Sequence, residues 1–310
     1  MKNVTHKPNL FIVGAVKSGT TALYNYLKLH PKIFFPEIKS PNYFGHDFPF
    51  KKDWYEGKIQ QYLAFYSGVG SDKKWVGDAS ASYLHSQKAA LEIKKFSPRA
   101  KIIIMLRKPV DMMYSLHSEW VYNGAEDIQD FEQALKAERG RKSGKIKTRT
   151  KYKNLLLYQE MASYYRPVKR YLNIFGSENV HVIIFKDFKE NTPEVYRGVL
   201  RFLGLNDNFK IDFTKINSPR VTNPNKRTYL MFVQQFIEQP SSPVKYIARQ
   251  LIPKKLRYKL ITLITNLNTR FLPRDPIPLE LRRKLQKKVR PDAEKLGRLI
   301  NRDLSFWYRD

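Results

Sequence analysis

The 310-residue sequence predicts an α/β fold in which a central parallel β-sheet is covered by helices on both faces. Two observations support this prediction. Apolar, β-branched segments recur through the first two thirds of the chain, and each is followed by a segment with helical periodicity. The apolar segments are also continuous rather than alternating, which is typical of strands buried on both faces of a parallel sheet.

The N-terminal part of the chain contains two of these strand–helix pairs. Asn9–Gly14 is a predicted buried strand, and a helix is expected from about residue 19 to residue 29. Lys74–Ser80 is a predicted short strand that precedes a helix near Ser86–Phe96. Both pairs fit a parallel sheet, because parallel neighbours need a crossover connection that is usually a helix.

Two further pairs follow along the chain. Ala100–Arg107 is a continuous apolar strand, and the next helix is expected over Pro109–Tyr122, since proline is favoured in a first helical turn. Asn179–Phe188 is another predicted buried strand, followed by an amphipathic helix over Thr192–Leu205. The four pairs together predict the α/β class.

Two segments depart from this alternation. Glu138–Lys153 consists almost entirely of charged and small polar residues, which predicts a mobile surface loop. The basic segment from about Gln239 to Asp275 carries an apolar stripe with helical spacing: Leu256, Leu260, Leu263, Leu267 and Phe271. Two alternatives stay open for this helix, which either packs on its own domain, the commoner outcome, or lies on an anionic membrane. We divide the chain into an α/β core at 1–236 and a basic helical C-terminal extension at 237–310, packed on the same domain.

The charge balance points to an anionic partner. The chain has 57 Lys and Arg against 28 Asp and Glu, a formal net charge of +29. Such an excess favours nucleic acid, a phosphorylated or sulfated molecule, or an acidic membrane surface. Composition alone does not choose among these partners.

Composition and apolar patterning exclude several other classes. The chain has no cysteine, which excludes disulfides, thiol catalysis and a zinc–thiolate site. Its six histidines show no H-x-x-x-H spacing that would predict a metal site. No apolar run approaches the roughly 20 residues of a membrane span, and the N-terminal apolar run is interpreted as the first strand rather than a signal peptide. The expected location is the cytoplasm, with peripheral contact at a membrane surface as an option.

The loop in FIVGAVKSGTTALYNYL is close to a nucleotide-binding loop. A Walker loop reads G-x-x-x-x-G-K-[ST]. Gly14 and Gly19 have that spacing and Thr21 occupies the hydroxyl position, but Thr20 occupies the lysine position and a lysine appears earlier, at Lys17. A glycine loop that enters a helix directs backbone N–H groups at its ligand, so the segment predicts a phosphate-binding site.

The displaced lysine changes the predicted ligand. A Walker lysine reaches the β- and γ-phosphates, and with Thr20 in its place a triphosphate is not favoured. Lys17, on the crest of the loop, would instead meet the bridging oxygen of a single 5′ anion. No second acidic motif for magnesium is evident, and the apolar strand Ala100–Arg107 ends in arginine. The loop therefore predicts a monophosphate-type leaving group that is activated without metal.

A second anion site is predicted after the third strand. Arg107 stands at the carboxyl end of that strand, where open α/β sheets place their ligands. Ser115 is eight residues further on, about two helical turns. An arginine and a serine can hold a phosphate, so the two motifs together predict a nucleotide with two separated anions.

These residues resemble the sulfotransferases that use 3′-phosphoadenosine 5′-phosphosulfate (PAPS), especially the branch that includes heparan-sulfate sulfotransferases and their bacterial relatives. The similar segments run over nearly the whole chain: GAVKSGTTALYNYL, GDASASYL, RKPVDMMYSLHSEW, FKDFKENTPEVYRGVLRFLGL and NRDLSFWYRD. The resemblance implies a P-loop-like three-layer fold. It also implies transfer of a sulfuryl group from PAPS to a hydroxyl or amine, with no metal.

The resemblance also implies roles for individual residues. The family loop that holds the 5′-phosphosulfate corresponds to Lys17, Ser18, Gly19, Thr20 and Thr21. Lys17 would stabilise the departing 5′-phosphate, and Arg107 and Ser115 would hold the 3′-phosphate. The family often closes the nucleotide site with a basic loop late in the chain, which makes Arg220, Lys226 and Arg227 candidates.

The sequence departs from the family at the expected general base. In the heparan-sulfate branch a glutamate in a segment like K-E-x-H-F-F is the base, and the corresponding segment here is KSPNYFG. Lys39 and Tyr43 fit that pattern, but Ser40 replaces the glutamate and Asn42 the histidine. Lys39, Ser40 and Tyr43 are predicted acceptor-binding residues, and the base must be another group or the acceptor must differ.

Four other residues are candidates for the general base: Glu37, His46, Asp47 and Asp78. We favour Asp78, because it ends a strand that faces the ligand edge of the sheet; the alternative is a carboxylate with only a structural role. His117, on the helix after Arg107, is more typical of a core residue than of a catalyst.

Two other functions stay open at this point. A P-loop kinase or NTPase with a degenerate loop would bind nucleotide with magnesium and needs a second acidic motif, which we do not find. A catalytically inactive basic module that binds nucleic acid or a membrane is consistent with the net charge. KSGKIKTRTKYK, however, lacks the aromatic residues of a base-stacking surface, so no nucleic-acid partner is expected. The acceptor is not readable from sequence, although the positive charge favours an acidic polysaccharide or a lipid head group.

Overall fold

The computed structural model describes residues 7–47, 58–146, 148, 150, 153–213, 225–228, 233, 253–272 and 275–309. The strands in chain order are β1 (Leu10–Gly14), β2 (Ile33–Phe34), β3 (Trp75–Asp78), β4 (Lys101–Leu106), β5 (Val180–Ile184), β6 (Asn225–Thr228) and β7 (Thr269–Leu272). The helices in chain order are α1 (Thr20–Lys28), α2 (Ile59–Leu63), α3 (Ala89–Phe96), α4 (Pro109–Tyr122), α5 (Phe131–Lys142), α6 (Tyr158–Met161), α7 (Tyr165–Phe175), α8 (Phe185–Glu190), α9 (Thr192–Phe202), α10 (Lys254–Leu267) and α11 (Leu279–Leu299). Short 3₁₀ turns occur at Ala64–Tyr66, Lys153–Leu156, Ser177–Asn179 and Ser305–Trp307.

The chain forms two compact units. The first contains Met1–Met112, Glu160–Ser218 and Arg283–Asp310, and the second contains Met113–Gln159 and Pro219–Arg282. Each unit is therefore assembled from segments that are distant in sequence.

The first unit is built on a five-stranded parallel sheet with the order β2-β3-β1-β4-β5. β1 lies in the middle and is buried over its whole length, as are five of the six residues of β4. The continuous apolar runs in the sequence reflect this burial on both faces. The predicted α/β fold with a central parallel sheet is confirmed.

One face of this sheet packs against α1 and α9. The shared core contains Leu10 and Ile12 of β1, Ile103 and Met105 of β4, Leu23 and Leu27 of α1, and Tyr196, Val199 and Leu200 of α9. The Trp75 indole N–H donates to the Leu203 carbonyl at 2.9 Å, which ties the edge of the sheet to the end of α9. These contacts hold the start of α1 at the carboxyl end of β1.

The C-terminal helix is tied to the first unit through one carboxylate. Asp292 on α11 accepts hydrogen bonds from the Ser163 hydroxyl at 2.7 Å and from the backbone N–H groups of Tyr164 and Tyr165 at 2.7 and 3.2 Å. It thereby satisfies donors at the start of α7 that have no partner within the helix. This cap fixes the position of Tyr164.

The second unit contains α5, where the sequence predicted a mobile loop. The Asp130 side chain accepts from the Gln133 N–H at 2.8 Å and begins this helix, which runs to Lys142. Arg141 is buried, and its guanidinium donates to both oxygens of Glu126 at 2.6 and 2.7 Å. The loop prediction was therefore wrong for Glu138–Lys142, because a distant carboxylate allows these charged residues to leave solvent.

His117 also belongs to the interior of the second unit. Its ring packs against Phe131 and Tyr158, with centroids 5.3 and 5.6 Å away, and its Nε2 lies 2.9 Å from the Ile128 carbonyl. Burial lowers the pKa of His117. This environment fits the expectation of a core histidine.

The basic segment contains α10 and a two-stranded antiparallel sheet of β6 and β7. Leu256, Leu260, Leu263 and Leu267 lie on α10, as predicted, but Phe271 lies on β7. Among the helices of the described segments, none combines the length and the apolar content needed to cross a membrane.

Candidate active site

The loop between β1 and α1 has the backbone of an anion-binding cradle. Gly19, immediately before α1, has φ of 88°, and Lys17 has φ of 59°. Both values lie in the left-handed region, which turns successive N–H groups toward one side. The first N–H groups of α1 have no acceptor within the helix and lie at the positive end of its dipole. The loop can therefore hold an anion.

Gly19 is required for steric as well as conformational reasons. A Cβ at this position would lie 2.8 Å from the ring of Phe185, the first residue of α8. Phe185 thus covers one side of the loop and presses directly on its backbone. No larger residue fits there without moving that ring.

The residues of the loop differ in their exposure to solvent. Ser18 is fully buried and Thr20 is buried, whereas Lys17, Gly19 and Thr21 are partly accessible. Lys39 Nζ lies 3.5 Å from the Thr20 hydroxyl. The structure therefore brings Lys39, from the segment after β2, to the phosphate loop predicted from sequence.

Arg107 is brought to the same loop from the end of β4. Its Nη1 donates to the Lys17 carbonyl at 3.2 Å, and its guanidinium lies over the Phe185 ring, 5.2 Å from the centroid. Burial lowers the pKa of Arg107, and the neighbouring Asp111 and Tyr164 oppose that effect. A buried guanidinium beside a cradle of N–H groups adds a second positive group for an anionic ligand.

Ser115 lies on α4 and is almost fully buried. Its hydroxyl makes no hydrogen bond with any part of the chain that the structure describes. Ser115 belongs to the second unit, and its contact with a 3′-phosphate stays a prediction.

Tyr164 lies beside the candidate site and was not predicted from the sequence. It is fully buried, and its hydroxyl has no hydrogen-bond partner of ordinary geometry among the described residues. Burial raises the pKa of this hydroxyl, while the nearby Arg107 and Ser18 act in the opposite direction, which places it beside the loop. No local pattern could have identified it, because the Asp292 cap that positions it comes from the C-terminal helix.

The predicted acceptor segment packs on the residues that follow β3. Ser40 has φ of 64°, and its hydroxyl donates to the Ala79 carbonyl at 3.0 Å. The Tyr43 N–H donates to the Tyr83 hydroxyl at 2.8 Å, and the Tyr43 ring stacks on Tyr62 with centroids 4.6 Å apart. Ser40 and Tyr43 are thereby held beside the end of β3.

Asp78, at the end of β3, lies in the middle of this packing. It is fully buried and accepts three hydrogen bonds, from the Ser80 hydroxyl at 2.6 Å and from the hydroxyls of Tyr62 and Tyr83 at 2.8 and 3.0 Å. Burial raises the pKa of Asp78 to about 6, although these hydrogen bonds and the charge of Lys39 counteract the rise. The two tyrosines are further residues that sequence analysis did not single out.

The other three candidates for the base have their own partners. Glu37 is exposed and pairs with Lys28 at 2.9 Å. His46 Nδ1 lies 3.2 Å from Glu92 Oε1. Asp47 accepts from the Ser86 hydroxyl and from the Gln87 N–H at 2.7 Å. Of the four carboxylate and histidine candidates, Asp78 alone is fully buried beside the predicted acceptor segment.

The late basic loop is the part of the predicted site that falls largely outside the described residues. Arg220 lies outside them. Lys226 and Arg227 lie on β6, whose backbone is described and whose side chains are not. Their predicted contact with the nucleotide stays a prediction.

The buried carboxyl group predicts a distinctive dependence of stability on pH. Its folded-state pKa of about 6 lies above the reference value of 3.8, so the folded protein binds more protons than the unfolded chain between these values. The free energy of unfolding of the wild type, relative to that of Asp78→Asn, should therefore fall as pH rises from 4 to 6. The difference between the two pKa values corresponds to a total fall of about 3 kcal/mol over the full titration, of which about 2 kcal/mol lies between pH 4 and pH 6.

Chemical denaturation of both proteins across this pH range measures the effect. Asp72→Asn is the matched control, because Asp72 is exposed beside Lys73, which lowers the pKa of its carboxyl group. Because Asp72→Asn retains Asp78, the free energy of unfolding of the wild type relative to that of Asp72→Asn should show no such fall between pH 4 and pH 6. A wild-type curve parallel to that of Asp78→Asn would show that the pKa of Asp78 is not raised.

Comparisons with known proteins identify the family. The sulfotransferase domain matches residues 7–239. Bifunctional heparan sulfate N-deacetylase/N-sulfotransferase 4 of Mus musculus is 36% identical over 117 residues, which are 37% of this chain and 13% of that protein. The membrane-associated sulfotransferase kil1 of Dictyostelium discoideum is 30% identical over 117 residues, which are 37% of this chain and 24% of that protein. The chain thus matches less than a quarter of the length of either curated relative.

A solved structure is similar over almost the full chain. The crystal structure of a sulfotransferase from Alicyclobacillus acidocaldarius superimposes with a TM-score of 0.70 and 28% identity, over 98% of this chain and 100% of that one. The family match covers well over half of the 310 residues. The chain therefore belongs to the sulfotransferase family of transferase enzymes, as its motifs predicted.

Proposed function

We propose that this protein transfers a sulfuryl group from PAPS to a hydroxyl or amine of an acceptor. The observation that carries the proposal is the hydrogen bond between Arg107 and the Lys17 carbonyl. It shows that the end of β4 and the crest of the loop meet at one helix N-terminus, so an anion bound there would lie close to two cationic residues. PAPS, when bound, supplies an activated sulfuryl group attached to a 5′-phosphate.

The residues present fit this donor. The N–H groups from Lys17 to Thr21 and the start of α1 would hold the 5′ end. Arg107 would hold a second phosphate, and the buried hydroxyl of Tyr164 beside it could donate a further hydrogen bond. Ser115, buried with an unpartnered hydroxyl, keeps the 3′-phosphate role that the family resemblance implies.

Lys17 would perform the central electrostatic task. In an in-line transfer with a loose transition state, charge builds up on the leaving oxygen, and a cation placed there lowers the barrier. Lys17 lies on the crest of the loop, where its ammonium group can neutralise a departing 5′-phosphate. A sulfuryl group carries less charge than a γ-phosphoryl group, so one lysine can serve where a nucleotide kinase uses lysine and magnesium.

Asp78 is proposed as the general base. A carboxylate has about four lone-pair positions, and Asp78 uses three of them. The fourth could accept the proton of an acceptor held by Lys39, Ser40 and Tyr43. Its raised pKa of about 6 suits this role, since an effective base is largely ionised near neutral pH yet still binds a proton well.

The acceptor class is inferred from charge. The net charge of +29 favours an anionic acceptor, because long-range attraction raises its local concentration. The names of several curated relatives refer to heparan sulfate, a sulfated polysaccharide. We therefore propose an acidic polysaccharide as the first acceptor class to test, with lipid head groups as the second.

Titration calorimetry with 3′-phosphoadenosine 5′-phosphate tests the donor assignment. Binding in the micromolar range that does not depend on magnesium supports it. Arg107→Ala should weaken binding by about tenfold or more, since a lost charge-assisted contact costs at least about 1.4 kcal/mol. Arg99→Ala, which removes an exposed arginine, is the matched control and should bind normally. Binding of ATP that requires magnesium would instead support the kinase alternative.

A further inference from the structure

The helix α10 exposes an unusual number of large aliphatic side chains. The exposed fractions of six of them lie between 39% and 71%: Leu256, Leu260, Ile261, Leu263, Ile264 and Leu267. By contrast, α9 buries Tyr196, Val199 and Leu200 in the core. Contiguous apolar surface of this kind usually marks an interaction site in a soluble fold.

Helix geometry gathers most of these side chains on one face. With 3.6 residues per turn, Leu256, Leu260, Leu263, Ile264 and Leu267 fall within an arc of about 100°, and Ile261 extends its edge. We call these six residues the apolar face of α10. Thr262 and Asn266 lie on the other side of the helix, Lys259 borders the apolar face next to Leu263, and all three are exposed. The helix is therefore amphipathic and leaves its apolar face in solvent.

The charge of the segment that carries this face restricts what can cover it. Residues 239–274 contain eight Lys or Arg and no Asp or Glu. Two of these cations, Lys259 on α10 and Arg270 on β7, are exposed. A partner must therefore present an apolar layer bordered by negative charge, which is the chemistry of an anionic lipid bilayer.

We propose that the apolar face of α10 is a docking surface for an anionic phospholipid bilayer. The helix has 14 residues, so it is about 21 Å long and suits a position in the plane of the interface rather than across the membrane. Its leucines and isoleucines enter the boundary between head groups and acyl chains, while the basic residues meet lipid phosphates. This inference does not depend on the proposed function.

Co-sedimentation of the full chain with vesicles tests the proposal. The vesicles are pure phosphatidylcholine or phosphatidylcholine with about 30 mol% phosphatidylserine, a composition that attracts basic segments. The wild type should bind the anionic vesicles at least tenfold more tightly than the neutral ones. The double variant Leu260→Glu/Leu263→Glu should lose at least tenfold in binding, because it places charge on the apolar face.

A charge-matched control separates insertion from simple attraction. Thr262→Glu/Asn266→Glu adds the same two negative charges to the opposite side of α10, so it should bind within about threefold of the wild type. Equal losses in the two double variants would overturn the proposal, because they would show attraction without insertion. All of these changes are at exposed positions, and thermal unfolding verifies that each variant is folded.

The absence of cysteine allows a second, direct measurement. Leu263→Cys and Asn266→Cys can each be labelled with an environment-sensitive fluorophore at a single site. Anionic vesicles should shift the emission to the blue at residue 263 and leave it nearly unchanged at residue 266. No shift at residue 263, or vesicle-independent dimers that Leu260→Glu/Leu263→Glu dissociates, would show that another occupant covers this face.

Discussion

Replacing Lys17 by alanine is expected to lower the rate of sulfuryl transfer by about 10²–10³-fold, the usual effect of removing one preorganised group that stabilises transition-state charge. Lys17 is partly accessible on the crest of the loop, and its carbonyl, which the substitution retains, accepts the hydrogen bond from Arg107. The variant should therefore keep the fold and much of its nucleotide affinity. The loss should appear in kcat, because the charge develops only during transfer.

The measurement is single-turnover transfer from labelled PAPS to the acceptor found by screening. Lys95→Ala removes an exposed lysine from α3 and is the matched control, with unchanged turnover expected. Thermal unfolding shows whether Lys17→Ala is folded. Unchanged turnover in that variant would remove Lys17 from the mechanism, whereas a change confined to KM would assign it to uniform binding of the donor.

Replacing Arg141 by methionine is expected to lower the free energy of unfolding by about 3–5 kcal/mol, because it leaves a buried carboxylate without its counter-charge. Arg141 and Glu126 have side chains that are 1% and 0% exposed, and the guanidinium meets both carboxylate oxygens. Glu126 also accepts from the Tyr158 hydroxyl at 2.7 Å and from the Ile128 N–H at 2.9 Å. Although burial alone would raise the pKa of Glu126, these hydrogen bonds hold it below its usual value.

Denaturant unfolding of the full chain measures this loss. Lys136→Met on the same helix is the matched control, since Lys136 pairs with Glu132 at 2.8 Å in solvent. An exposed pair of that kind contributes about 0.5 kcal/mol or less. Equal destabilisation of the two variants would contradict the buried ion pair. The double variant Arg141→Met/Glu126→Leu should recover much of the lost free energy of unfolding, because it also removes the buried carboxylate that has no counter-charge.

The sequence was most informative where structure depends on local pattern. The continuous apolar runs of β1 and β4 predicted buried parallel strands, and the helix expected over Pro109–Tyr122 has those bounds in the structure. The predicted strand Asn179–Phe188 ends at Ile184, because α8 begins at Phe185. Apolar residues are common to buried strands and buried helices, so a short run does not show where one changes to the other.

The candidate site likewise contains residues that local sequence could predict and residues that depend on distant parts of the chain. Gly14, Lys17 and Gly19 lie in one continuous loop, and Arg107 follows a recognisable strand. The sequence could therefore predict that these residues lie close together at the same edge of the sheet. The roles of these residues in transfer stay predictions. Tyr164 beside Arg107 could not be anticipated, because its position depends on a cap from Asp292, more than a hundred residues later in the chain.

The sequence by itself determined the class of sheet, the anion-binding loop and the family, because strand burial and helix N-terminal chemistry depend on residues close together in the chain. Only the tertiary structure decided which polar side chains are buried. Arg141 and Asp78 are buried because Glu126 in one case, and Ser80, Tyr62 and Tyr83 in the other, satisfy their hydrogen bonds. The leucines of α10, in contrast, stay exposed. Burial is a property of the partners that the fold assembles, and a residue's own chemistry does not reveal them.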